Sequence, residues 1–209
     1  MTTPLTGKYF LTGTDTEVGK TWVSCRLLEQ ARDAGLSALG LKPVAAGAEQ
    51  YDGQWQNDDA RQLMAASSVP LPYEQVNPVL LREPMAPHLA ARHEQRMLSV
   101  SRIAGYVRGV MMQKQDLLLV EGAGGWRVPL NDRETLAELA VALRLPVILV
   151  VGMRLGCLNH ALLTAEAIQR DGLRLAGWVA NVMPGDAMAG LEENIATLEH
   201  WLPAPRILL

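Results

Sequence analysis

Gly13-Thr14-Asp15-Thr16-Glu17-Val18-Gly19-Lys20-Thr21 is the stretch that decides the fold. A short apolar run, Tyr9 to Thr12, precedes it. Lys20 to Ala34 follows, with Val23, Leu27, Leu28 and Ala31 recurring at helical spacing. Strand, glycine-bearing turn and helix in that order make a phosphate-binding loop. Gly19 lets the backbone approach a phosphate closely, and the amides opening the helix, with the helix dipole behind them, hold its negative charge. Lys20 is placed to reach the β- and γ-phosphates, and the Thr21 hydroxyl to ligate Mg²⁺. The spacing is one residue longer than the common G-x4-G-K-[ST] pattern, and Thr14 stands where that pattern has glycine. The plainer alternative is a glycine turn before a helix that happens to contain a lysine. Gly-Lys-Thr in this context is too specific for that alternative to be preferred.

Outward from the loop, β-rich runs alternate with helical patterns. Gly35 stands at a helix stop. Ala38 to Val44 reads as a second strand, the polar stretch from Ala45 to Asn57 as loop, and Asp58 to Ala66 as a short helix. Pro70 to Pro87 is proline-rich and reads as irregular. Ser99 to Gln113 is a helix, and Leu117 to Val120 a buried strand ending at Glu121. Glu134 to Leu143 is helical, Val147 to Val151 an unbroken aliphatic strand, and Asn159 to Arg170 a helix. Ala176 to Val182 is strand-like, and Leu191 to Trp201 forms a last helix. The alternation predicts an α/β architecture of the P-loop NTPase type, a mainly parallel β-sheet with helices on both faces. Such sheets bind ligands at the carboxyl ends of their strands.

Composition supports one domain spanning residues 1–209, with 49% apolar residues for a core and only 5% aromatics. The formal charge is −3, without a basic block, so no nucleic acid is expected as a partner. Cys25 and Cys157 have no metal-binding spacing and read as reduced thiols. Met1 to Lys8 has no apolar signal core, and the longest apolar run, Leu145 to Met153, is far below membrane-spanning length. The expectation is a cytoplasmic protein with no membrane association.

Two acidic positions bear on the phosphate loop. Glu121 ends a strand and precedes Gly122-Ala123-Gly124-Gly125, where a carboxylate is placed to hold Mg²⁺ or its water. Asp58 and Asp59 open a helix, which dipole complementarity alone would explain.

These segments resemble the dethiobiotin synthetase family, ATP-dependent ligases of biotin biosynthesis. The resemblance is carried, in order along nearly the whole chain, by Thr12 to Thr21, Leu41-Lys-Pro-Val44, Glu121-Gly-Ala-Gly-Gly-Trp126, Leu155-Gly-Cys-Leu-Asn-His160 and Gly177-Trp-Val-Ala-Asn181. It implies that 7,8-diaminopelargonate is carboxylated by CO₂ (or bicarbonate) to a carbamate. ATP phosphorylates the carbamate to a mixed anhydride, and the second amine closes the ureido ring. It implies Thr21, Asp59 and Glu121 as the Mg²⁺ set, with Asp59 favoured over Asp58 because it precedes Ala60. The nucleotide is implied to lie against Glu17, Val18, Gly19, Lys20, Thr21 and Trp22, against Glu121, Gly122, Ala123 and Gly124, and against Asp59, with Asn181 reading the purine. Lys42 is implied as the second catalytic lysine beside Lys20. The carbamate and the γ-phosphate repel each other, and positive charge fixed beforehand is what brings them together. Ala46 falls in the substrate region, where the family often has a serine. Asn159 is implied to reach the substrate carboxylate across a homodimer interface, with the substrate site at that interface; His160 beside it reads as a satisfied histidine at a helix start.

Departures from the family pattern bear on the base end of the site. Val182 follows Asn181 where an aspartate is common, and the chain ends at Leu209, soon after Pro203-Ala-Pro205. The expectation drawn from them is relaxed nucleotide selectivity. Rival readings are a regulatory ATPase, a GTPase switch and a corrin-type amide ligase. Position 14 lacks the lysine of the first, Asn181-Val182 lacks the guanine-reading lysine of the second, and the third would carry an added glutaminase domain.

Overall fold

A run of strand and helix is interrupted once by a long excursion. β1 (Gly7–Gly13) leads into α1 (Lys20–Asp33) and β2 (Ala38–Leu41). The excursion comprises β3 (Val44–Ala46), β4 (Glu49–Tyr51), β5 (Gln54–Gln56), α2 (Asp58–Ala66), α3 (Tyr73–Val76), β6 (Val79–Leu81) and α4 (Pro87–His93). Regular alternation resumes with α5 (Val100–Met111), β7 (Leu117–Gly125), α6 (Leu136–Leu143), β8 (Val147–Gly152), α7 (Cys157–Arg170), β9 (Leu175–Asn181) and α8 (Leu191–Trp201). The computed structural model describes residues 4–183, 185 and 188–209; residues 1–3 of the polar opening stretch lie outside it.

The main sheet has strand order β2-β7-β1-β8-β9, and every pairing in it is parallel. β1 lies in the middle, and the order reverses about it. The crevice therefore opens at the carboxyl ends of β1 and its neighbours, where the phosphate loop leaves β1 and Glu121 stands on β7. Alternate residues serve the two faces. Phe10, Leu118, Val120, Val147 and Leu149 enter one core with α5, α6 and α7. Leu11, Leu117, Leu119, Ile148 and Val150 enter the other with Val23, Leu27 and Leu28 of α1 and Leu63 of α2. Gly40 is needed here for close approach, since a Cβ on it would stand 2.8 Å from Leu28 Cδ1. β8 is buried along its whole length, which is why its sequence shows no polar alternation.

The expected strand from Ala38 to Val44 is in fact two. Its first part pairs with β7 as far as Leu41, and Lys42 and Pro43 then leave the sheet. Val44 to Ala46 pairs instead with β6, in parallel. The stretch expected as loop, 45–57, holds the end of β3 and the antiparallel β4–β5 hairpin. The stretch expected as irregular, 70–87, holds α3, β6 and the first residue of α4. Three- and four-residue elements show no period in the sequence, and their partners are distant along the chain. α7 starts at Cys157, two residues before the expected Asn159, because Gly156 turns the chain with φ 96°.

Candidate functional site

The phosphate loop is shaped from beneath. Val18 is buried against Gly152, where a Cβ would stand only 2.8 Å from Val18 Cγ1. Asn181, at the end of β9, donates from Nδ2 to the Val18 carbonyl at 2.8 Å. Arg154 pairs with Asp15 at 2.5 Å, and Asp15 in turn accepts from the Thr16 N–H at 2.8 Å. Glu17 (φ 58°) and Gly19 (φ 82°) both take left-handed backbone. The loop is thereby held open, with the first amides of α1 facing the crevice. Lys20 is buried and donates to the Asp15 carbonyl at 2.9 Å. Burial, joined by the positive charge of Lys42, brings its pKa down to about 8.

Glu121 is fully buried and stands within β7, which does not stop after Val120 as expected but runs on to Gly125. Its Oε1 accepts from Thr21 Oγ1 at 2.7 Å and from Lys42 Nζ at 2.7 Å, and its Oε2 accepts from Ser24 Oγ at 2.7 Å. Thr21 and Ser24 lie three residues apart on α1, so one helix face supplies both hydroxyls. Lys42 Nζ also donates to Asp59 Oδ2 at 2.7 Å and to the Gly122 carbonyl at 3.3 Å. Burial opposes charge on both Lys42 and Asp59, but their mutual attraction prevails. The ammonium, also drawn by Glu121, is held above the ordinary lysine value, and the Asp59 carboxyl below the usual carboxylate range. Asp58, by contrast, faces solvent and accepts from Gln62 Nε2 at 2.6 Å.

One cavity of about 750 Å³ connects these groups. Lys20, Thr21, Lys42 and Asp59 line its polar end, with Glu17, Gly19, Ala123 and Gly124 beside them. Pro84, Met85 and Val128 form an apolar wall, and Ala46 and the half-exposed Trp22 also border the space. Val18, Glu121 and Gly122 lie behind this surface. Neither Asn181 nor Asn159 lines the cavity. Asn181 is engaged with Val18, and Asn159 is exposed near the start of α7. Thr21, Asp59 and Glu121 offer a hydroxyl and two carboxylates, the hard oxygen donors that Mg²⁺ takes, and the Lys42 ammonium against both carboxylates shows that they face a common positive charge. Among the described residues no cluster of three or more His, Cys, Asp or Glu that could hold a metal is present, and Mg²⁺ ordinarily takes one or two carboxylates with phosphate and water oxygens.

Comparison with known proteins fits this geometry. The family model described as an AAA domain matches residues 7–208. The ATP-dependent dethiobiotin synthetase of Cellvibrio japonicus is 61% identical over 197 residues, 94% of this chain and 86% of that one. This chain belongs to the dethiobiotin synthetase family. Other dethiobiotin synthetases lie close as well. That of Pseudomonas aeruginosa is 57% identical over 94% of this chain and 86% of its own, and that of Alteromonas mediterranea 49% identical over 95% and 89%. Solved structures agree on the P-loop α/β fold alone. The signal recognition particle receptor FtsY of Elizabethkingia anophelis in complex with GDP superposes with a TM-score of 0.57 at 16% identity, covering 99% of this chain and 57% of that receptor. A ParA family ATPase from Chlorobium tepidum gives 0.54 at 11%, covering 99% and 85%. Among the described residues, no helix of this dethiobiotin synthetase family member is long and apolar enough to cross a membrane.

Sequence reasoning missed polar residues around the site, among them Ser24, Asn57, Tyr73, Asn77 and Arg154. Ser24 could have been found from its helical spacing to Thr21. Asn57 could have been found as an N-cap before Asp58 and Asp59; its side chain accepts from the Ala60 N–H at 3.3 Å. Tyr73 and Asn77 carry no local signal, because their partners are Asn57 and Lys42.

Proposed function

We propose that this protein is an ATP- and Mg²⁺-dependent cyclo-ligase, acting as a single domain over residues 1–209. It carboxylates 7,8-diaminopelargonate with CO₂ and closes the ureido ring to give dethiobiotin. The observation that carries the proposal is Lys42. It reaches the Asp59–Glu121 carboxylate pair from outside the phosphate loop, in the cavity that Lys20 also lines. A nucleotide-hydrolysing switch has no need of a second buried lysine aimed at this point; joining a carbamate to a triphosphate does.

The reaction begins as one substrate amine adds to CO₂ and releases a proton, giving a carbamate. A carbamate oxygen then attacks the γ-phosphorus of ATP, and ADP leaves. The second amine attacks the carbamoyl carbon of the mixed anhydride; phosphate departs, a proton is lost and the ring closes. Lys20, on the loop, serves the phosphates. Lys42 serves the carbamate and the transferring phosphoryl group, its charge lowering the repulsion between two anions. Thr21, Asp59 and Glu121 would hold Mg²⁺, which supplies charge neutralisation on the phosphates. The amides of 17–22 and of Glu121 to Gly124 border the triphosphate, and Asn181, beneath the loop, is assigned to the purine. The apolar wall of Pro84, Met85 and Val128 suits an aliphatic substrate body. Asn159, exposed beside the fully open Leu155 (95% exposed), would serve the substrate carboxylate in the neighbouring subunit of a cytoplasmic homodimer.

The test is direct: protein, diaminopelargonate, bicarbonate, Mg²⁺ and ATP are incubated, and dethiobiotin and phosphate are measured. Dethiobiotin formed in step with phosphate is the expected result; phosphate without dethiobiotin would refute it. Replacing ATP by GTP or CTP tests base selectivity in the same assay.

A further inference from the structure

Lys42 and Asp59 touch at 2.7 Å although they come from separate segments, and Glu121 also accepts from the Lys42 ammonium at 2.7 Å. Lys42 has left the sheet after β2, so its peptide has lost the partner strand that orders Leu41. Asp59 sits in the first turn of α2, a nine-residue helix beyond the β4–β5 hairpin. Besides Glu121, a closed ring of hydrogen bonds joins the backbones that carry Lys42 and Asp59.

The Lys42 N–H donates to the Val76 carbonyl at 2.9 Å, at the end of α3. The Lys42 carbonyl accepts from Asn77 Nδ2 at 2.6 Å, and the same amide nitrogen donates to the Val79 carbonyl at 3.2 Å. Asn77 Oδ1 faces the Tyr73 hydroxyl at 2.9 Å. That hydroxyl lies 2.7 Å from the backbone nitrogen of Asn57. Asn57 caps α2 with its side chain, and two residues later the chain presents Asp59. The Lys42–Asp59 pair completes the circuit.

The protons in the ring have one consistent assignment. The Asn57 N–H can only donate, so the Tyr73 oxygen accepts it and gives its own proton to Asn77 Oδ1. Asn77 is then oriented with both Nδ2 protons on carbonyls; the flipped amide would set its oxygen against the carbonyls of Lys42 and Val79. Asn77 is buried, with 3% exposure, so a flip would leave those groups without water to replace the bonds.

We propose that Tyr73 and Asn77 are positioning residues for the ligase reaction, setting the Lys42 ammonium against Asp59 through a single phenolic hydroxyl that joins the α2 cap to the Lys42 peptide. This rests on the reaction proposed above. The Tyr73 ring is not the agent; its hydroxyl is, because it takes the Asn57 N–H, gives its own proton to Asn77, and can be removed without changing the shape of the side chain. The phosphate loop is outside the ring, so the loop's own contacts to the triphosphate do not pass through Tyr73.

The experiment is a double-mutant cycle on Tyr73→Phe and Lys42→Ala, read as kcat and KM for dethiobiotin formation. Tyr73→Phe is expected to lower kcat about tenfold, the scale of a sub-ångström misplacement of a reacting group, with KM for ATP essentially unchanged. In the Lys42→Ala background the same change is expected to do nothing further, since the group it positions is gone. Full kcat in Tyr73→Phe, losses that multiply across the cycle, or a rise in KM for ATP matching the fall in kcat would each overturn the proposal. A change that merely loosened the fold would multiply. Amide hydrogen exchange gives a readout independent of the reaction. Tyr73→Phe should speed exchange in both 39–46 and 57–63 and leave 13–21 as in the parent; faster exchange in one segment only, or in all three, would overturn the ring. Absence of dethiobiotin from the parent protein would refute the reaction, and the exchange experiment would still decide the role of Tyr73.

Discussion

The phosphate loop and the excursion between β2 and α5 border the same cavity, but they are built differently. The loop is a strand-to-helix turn whose backbone path is legible in neighbouring residues, left-handed Glu17 and Gly19, Val18 turned inward and helix amides following at once, and it is braced from beneath by Gly152, Arg154 and Asn181. The excursion has no conformation of its own that a short window could reveal. Its strands are three residues long, and its polar side chains bond to segments far along the chain. On the function proposed above, nucleotide binding falls to an element legible from a short window, and the chemical step to one that shows no such local pattern.

That division can be broken by experiment, and Lys42→Ala puts most at stake. It should lower kcat about 10²–10³-fold, the scale for losing one preorganised electrostatic contact, with little change in ATP affinity. Equal losses in both would make Lys42 a nucleotide anchor and erase the distinction. Ser24→Ala comes next, because it leaves Glu121 Oε2 buried without its donor. Unfolding in urea should show a loss of about 1–3 kcal/mol, and the Mg²⁺ concentration for half-maximal activity should rise. An unchanged Mg²⁺ requirement would separate Ser24 from the metal set.

Gly19→Ala probes the loop side. A Cβ there would stand 2.1 Å from Asn181 Nδ2, on a backbone at φ 82°. The left-handed conformation alone costs about 1–2 kcal/mol for a residue other than glycine, or roughly tenfold in ATP affinity if it is met on forming the loop. Calorimetric ATP binding measures it, and loss of kcat without loss of ATP affinity would contradict the division. The smallest effect is a control outside both regions. Thr135→Ala removes the capping box of α6, in which the Thr135 N–H donates to Glu138 Oε2 at 2.6 Å, and should cost about 1 kcal/mol at neutral pH. Burial of Glu138 opposes its charge, but the bonds from the Thr135 hydroxyl and N–H prevail and hold its carboxyl below the usual range. A lowered carboxylate contributes stability above its unfolded pKa and loses it as pH falls through the folded one. The penalty should therefore shrink below about pH 4, with dethiobiotin kinetics unaffected at every pH where the protein is folded.

Much of this molecule was legible in the sequence. The Gly-Lys-Thr loop, the aliphatic run of β8 and the strand that carries Glu121 needed only local pattern and element order, although that strand continues to Gly125. Lys42 was legible as a residue type at a strand end and through family resemblance, but not as a neighbour of Asp59. Asn159 and Asn181 show a different gap. Both were picked out by resemblance, yet within this chain one is exposed and the other bonds the underside of the loop.

By itself, the sequence determined the alternation of strands and helices, the position of the phosphate loop and the presence of two lysines and two carboxylates. Those properties follow from periodicity and from turn chemistry spanning a few residues. Only the tertiary structure decided that Ser24 meets Glu121 across 97 residues, that the strand after Gly35 breaks at Lys42, and that Tyr73 closes a ring between Asn57 and Asn77. A hydrogen bond between distant segments leaves no periodic trace in the chain. Its donor and acceptor are chosen by which elements the sheet order brings side by side.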